Sequence, residues 1–261
     1  MHVAGCVCPH PPILVPEIGR EHRQVVHATI EAMETLARAA GEPETIVIIS
    51  PHTPGTASTF TVKSPPRLWG DFSAFRCPGV GIEIANDEEL VAGLTATAAD
   101  DDGLRLEAVD DDYLDHGVLV PMSFLKARRL VSLSIVADYA VHRRLGALVR
   151  RVAEALGRTS LLFVASGDLS HRLTHDAPAG FNPEGSVFDG KVTDHLSRGE
   201  FEALLEIDGR LVAAAGECGL RSLIALGGFL GDGAGEDARL LSYEGPFGVG
   251  YAVAAYGVTA P

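Results

Sequence analysis

The chain reads as short, continuously apolar runs set between longer stretches with apolar residues at helical spacing. HVAGCVC (2–8), TIVIIS (45–50), RLVSLSIVA (129–137) and SLLFVAS (160–166) have the length and β-branched content of strands buried on both faces. Helical spacing covers about 17–40, 87–99, 142–156, 187–196, 200–206 and 219–230, with Gly41 and Gly157 as stop signals. ARLLSYEG (238–245) and GYAVAAYGV (250–258) close the chain as strands, predicted to pair antiparallel, and STFTVKS (58–64) is an edge strand or hairpin arm. Strands alternating with helices predict an α/β sandwich around a mostly parallel sheet, over one unit spanning 1–261. Two stretches, 65–78 and 167–186, read as long irregular loops of the kind that line binding sites.

Against this frame the histidines are not scattered. His10 follows the first strand in CVCPHPPILVPEIG, and His52 follows the second in IVIISPHTPG. His171 follows a third in ASGDLSHRL, and His116 lies in YLDHGVLVP, just ahead of an apolar segment. In open parallel sheets ligands bind beyond the carboxyl ends of the strands, so three separate strands aim a histidine at one crevice. Proline fixes its own φ and restricts the residue before it, so PHPP and SPHTP hold each imidazole on stiff, non-helical backbone. That stiffness suits a metal ligand, and imidazole serves iron, zinc, copper or nickel. A third donor is then required. Glu217, in AAAGECGLRSLIAL at the start of an apolar helix, competes with Glu244 in SYEGPFGVG. Two histidines and one carboxylate form the facial triad of non-haem Fe(II) oxygenases. A carboxylate at a helix start is also ordinary helix-end chemistry.

Other features carry less. Cys6, Cys8 and His10 share one strand face and, with His52, would make a zinc site; small cysteines on a core strand are more often plain core. The acidic runs lack calcium-loop spacing. Asp115 and Asp168 are expected as turn residues or as acceptors orienting imidazoles. Arg172 and Arg221 could hold a substrate carboxylate. A net charge of −14 excludes nucleic acid as a partner, since nothing would neutralise phosphates. No apolar run is long enough to cross a bilayer and no signal peptide is read. Four cysteines in 261 residues make no disulfide framework, so the expected setting is the cytoplasm.

Taken in order, PHPPI, SPHTP, LDHGVLVPMSFL, ASGDLSHRL followed by APAGFNPEGSVFD, and GECG resemble the class III, LigB-like extradiol ring-cleavage dioxygenases, and more distantly the Memo proteins. The resemblance implies a three-layer α/β/α sandwich and Fe(II), with Mn(II) or Zn(II) as alternatives. It makes His10, His52 and Glu217 the metal ligands, His171 the acid–base catalyst, and His116 a second histidine beside substrate and oxygen. It further implies a small aromatic diol and O₂ as reactants. Memo proteins place a cysteine in the third ligand position, and Cys218 adjoins Glu217 here. Two-subunit members close the pocket with a small partner subunit; here the lid is internal or comes from another chain, and a homo-oligomer stays open. Two alternatives stand beside ring cleavage: a Memo-like metal-binding or interaction protein, and a zinc-dependent hydrolase using Glu217 as base.

Overall fold

The computed structural model describes residues 2–235 and 237–258, so the expected span of 1–261 reaches past the described residues at both ends and at Glu236. The strands and α-helices, in chain order, are β1 (His2–Cys8), α1 (Pro16–Gly19), α2 (His27–Ala40), β2 (Thr45–Ile49), β3 (Phe60–Lys63), β4 (Arg67–Phe72), β5 (Cys77–Asn86), α3 (Glu88–Ala99) and β6 (Leu106–Val109). They continue with α4 (His116–Met122), β7 (Arg129–Leu133), α5 (Ala140–Ala155), β8 (Ser160–Ser166), α6 (Glu184–Arg198), α7 (Gly209–Ala215), α8 (Leu220–Leu230), β9 (Arg239–Glu244) and β10 (Tyr251–Tyr256).

The strands form one ten-stranded mixed sheet with the order β4-β5-β7-β2-β8-β1-β10-β9, and β3 joins β6 to β7 beside it. Its centre, β7-β2-β8-β1, is parallel throughout. Because these strands are covered on both faces, successive residues enter opposite layers. On β2, Val47 and Ile49 pack with α3, α5 and α8, whereas Ile46 and Ile48 pack with α2 and α4. β8 repeats this with Phe163 and Ala165 against Leu162 and Val164. Each such Val, Leu, Ile or Phe side chain, fully removed from water, contributes about 1.5–3 kcal/mol. The result is the expected α/β/α sandwich, with β9 and β10 antiparallel as read from the pattern. Among the described residues no helix is long and apolar enough to cross a membrane.

Three local departures matter. The single helix expected over 17–40 breaks near Arg20, which sits at φ 47°, and a 3₁₀ stretch, Arg20–Val26, precedes α2. The segment 65–78, read as an irregular loop, forms β4, the tip Ser73–Phe75 and the start of β5 in an antiparallel hairpin, and the tip brings Phe75 against His116. STFTVKS is no outer strand; β3 is buried along its whole length.

Candidate metal centre

β1, β2 and β8 are parallel neighbours, so their carboxyl ends open on the same side. His10, His52 and His171 follow those ends directly, as the sequence implied. His116 reaches the same place from the first position of α4. One ring nitrogen each from His10, His52 and His116 lie within 4.8 Å of one another, a grouping that fits a single ion.

The hydrogen bonds around His10 fix its tautomer. Ser166 Oγ, on the last residue of β8, donates to the Gly117 carbonyl, so toward the 2.9 Å contact with His10 Nδ1 it acts as acceptor. His10 therefore carries its proton on Nδ1, and its Nε2 lone pair accepts from His52 Nε2 at 3.2 Å, a shared proton that an ion would replace. Two imidazoles bound to one tetrahedral ion, at about 2.0–2.1 Å each, hold their nitrogens about 3.3–3.4 Å apart, so the pair already has the bite of a chelate. Ser166→Ala removes the acceptor that sets this tautomer; metal affinity, measured by chelator competition, is expected to fall about 10–100-fold.

The two turns are cross-braced by Asp115. Its carboxylate caps α4 through Gly117 N at 2.8 Å and accepts from Ser50 Oγ at 2.7 Å and Thr53 Oγ1 at 2.6 Å. It thus joins the SPHT and DHG turns rather than bonding an imidazole, which is the turn chemistry expected of it. Gly117 is required by this closeness: a Cβ there would overlap Ser50 Oγ. Burial, with the fields of neighbouring histidines, holds His10 well below its usual pKa. Burial likewise lowers His52 and His171, and takes His116 to about 4. All four rings are neutral at pH 7, the state a metal ligand requires.

Glu217 is the correction. The structure turns its carboxylate away from the histidines: it accepts from Leu220 N at 2.6 Å at the start of α8 and from Tyr139 OH at 3.1 Å. Free N–H groups at a helix start attract a carboxylate three residues earlier, and here they win. Glu244 is engaged elsewhere too, by Thr29 N and Oγ1 of α2. The next residue along the turn, Cys218, faces inward instead, with Sγ 3.8 Å from His10 Nε2. A thiolate and an imidazole on one tetrahedral ion lie about 3.6 Å apart. Gly167 and Gly219 permit this approach, since a Cβ on Gly167 would strike the Gly219 backbone. Asp168, between them in space, accepts from His10 N at 3.0 Å and brings Oδ2 to 3.9 Å from His10 Nε2. Burial pushes its carboxyl up to about 7.

His171 lies close enough for its charge to be felt at His10. Its Nδ1 is buried, and the Gly216 and Leu169 backbone lies against the ring. Phe75, from the hairpin tip, meets the His116 ring edge-on with centroids 5.3 Å apart. Cys6 and Cys8 are sealed in the layer beneath and take no part. His142 is a core residue, accepting from Val136 N and held by the Asp138 carbonyl. Ser166 was not foreseen; its only signal was a polar residue ending an apolar strand.

Among relatives, Protein CA_C1420 of Clostridium acetobutylicum is 36% identical over 94% of this chain, and the chain spans about half, 55%, of that protein's length. The uncharacterized protein JW3007 from Escherichia coli K12 shares the fold, with a TM-score of 0.67 at 17% identity over 97% of this chain and 99% of that one. The family of the catalytic LigB subunit of aromatic ring-opening dioxygenase matches residues 4–254, and this chain belongs to it.

Proposed function

We propose that this chain is a metal-dependent ring-opening dioxygenase acting on a small aromatic diol with O₂. The observation that carries the reading is the His10–His52 pair, whose Nε2 atoms share a proton at 3.2 Å at the mouth of a LigB-family sheet. His10, His52 and His116 would hold the ion, with Cys218 or Asp168 completing the set in place of Glu217. When bound, a divalent ion would acidify a chelating diol and supply the redox centre that reaction with O₂ requires. The His171 imidazole, its pKa lowered by burial, would take a proton from the second diol hydroxyl and return it to the departing oxygen. Phe75 and the hairpin tip would shield one side of the ring from water.

The orientation of Cys218 favours a second reading. Imidazoles with a thiolate suit zinc or copper(I), and the chain would then be a Memo-like metal-binding protein without ring cleavage. The zinc-hydrolase alternative is dropped, because Glu217 is not placed to act as its base. The readings separate in one experiment. The protein is loaded anaerobically with Fe(II), Mn(II) or Zn(II), then given a panel of catechols and O₂. Metal-dependent oxygen uptake with a yellow ring-opened product supports the first. Tight zinc or copper binding with no uptake on any diol supports the second.

The pH dependence of metal binding reports the donor that completes the histidine set. Burial holds the Cys218 thiol well above its ordinary range, so binding through sulfur must expel a proton. Between about pH 8 and 9, above the Asp168 carboxyl at about 7 and the lowered histidines, wild-type affinity should rise about tenfold per pH unit. In Cys218→Ser that slope should vanish. A flat wild-type profile would remove Cys218 from the ligand set.

A further inference from the structure

A cavity of about 480 Å³ is lined by Gly216 and Glu217 of the turn that leads to Cys218, and no histidine lines it. Its volume is that of a small-molecule pocket, roughly 300–1,000 Å³. Its walls are apolar: Leu204 from the 3₁₀ turn Phe201–Glu206, Ile207, Val212 of α7 and Leu220 of α8. At its head stand Glu217, Tyr139 and Arg221.

The head is an unfinished ion pair. The Glu217 side chain is 2% exposed, yet the nearest Arg221 nitrogen stops 4.0 Å away. Arg221 is held back by stacking on the Tyr139 ring at 4.1 Å and by two long bonds, both 3.4 Å, to the Ala137 carbonyl. Both Glu217 oxygens already accept, from Leu220 N and Tyr139 OH, but a carboxylate has about four acceptor positions and a guanidinium five donors, so each can take a further partner from the cavity.

We propose that this cavity is a second ligand site, for a small neutral amphiphile whose head is an amide or a hydroxyl. Such a head donates to Glu217 and accepts from Arg221 at once, while its apolar body lies along Leu204, Ile207 and Val212. A cationic head gains at Glu217 and is repelled by Arg221; an anionic head meets the reverse. The opposed charges therefore select neutrality rather than either sign. The site is independent of the ring-opening reading, since it uses none of the residues assigned there.

The test titrates the full chain with hexanamide and 1-hexanol, and with hexanoate and hexylamine as charged counterparts, following the methyl signals of Leu204, Val212 and Leu220 by NMR. Saturable shifts with the two neutral probes are expected, at affinities at least about tenfold tighter than for the charged ones. Ala213→Trp, at an exposed rim position, should abolish the shifts by filling the mouth. Glu217→Gln, which keeps the cap on Leu220, should weaken hexanamide several-fold and leave metal affinity unchanged. Equal binding of charged and neutral probes overturns the proposal, as does an unshifted methyl spectrum in the wild type. Undiminished hexanamide binding in a folded Ala213→Trp protein overturns it as well.

Discussion

Replacing His10 with alanine is expected to weaken transition-metal binding by more than about 100-fold, since loss of even an outer partner costs about 10–100-fold. The geometry singles this residue out. Its Nε2 lies 3.2 Å from His52 Nε2, 3.8 Å from Cys218 Sγ and 3.9 Å from Asp168 Oδ2, so every other donor converges on the space it faces. The ring is 2% exposed and its tautomer is set by Ser166, so it is already organised before any ion arrives. Chelator competition measures the affinity, and circular dichroism shows whether the fold survives. Wild-type affinity in a folded His10→Ala protein would place the metal elsewhere.

His171→Ala is expected to do the opposite: metal and diol binding persist while ring opening slows by about 10²–10⁴-fold. His171 sits near His10 without joining the compact ring-nitrogen group. The environment prepares it for proton transfer, since burial lowers its pKa and keeps it a base at neutral pH. Single-turnover rates on the metal-loaded protein, set beside diol affinity measured anaerobically, separate the two effects. If the variant also loses its metal, His171 is a ligand rather than a proton carrier.

Much of this arrangement was legible because strand burial and strand ends leave strong marks. β2 is a run of apolar residues ended by Ser50-Pro51-His52, and β8 ends at Ser166 before Gly167 and Asp168. The edge of the sheet was not legible. β4 and β5 lie at the rim, where β4 buries only alternate residues and β5 only its last, and Pro65, Pro66, Gly70, Pro78 and Gly79 break the pattern. β6 is four residues and α7 only seven, too short for periodicity to register. Within the site, His10, His52, His116 and His171 were indicated by their places relative to strands and to an apolar segment. The choice between Glu217 and Cys218 was not, because neighbours on a turn point to opposite sides. Which one faces inward was decided by the unpaired N–H groups at the start of α8, a contest between helix capping and coordination that spacing does not encode.

The same adjacency gives the turn two faces. Cys218 reports to the histidines, and Glu217 to the apolar cavity lined by α7 and α8. A single residue of slippage here would exchange thiol and carboxylate, which is why Gly167 and Gly219, where backbone meets backbone, hold the turn in place.

The most direct measurement is X-ray absorption at the metal edge of the zinc- or iron-loaded protein. The account predicts imidazole nitrogens at about 2.0–2.1 Å, lost in His10→Ala, and in the zinc form one sulfur at about 2.3 Å that disappears in Cys218→Ser. A spectrum without imidazole scattering, or one unchanged by His10→Ala, would contradict it.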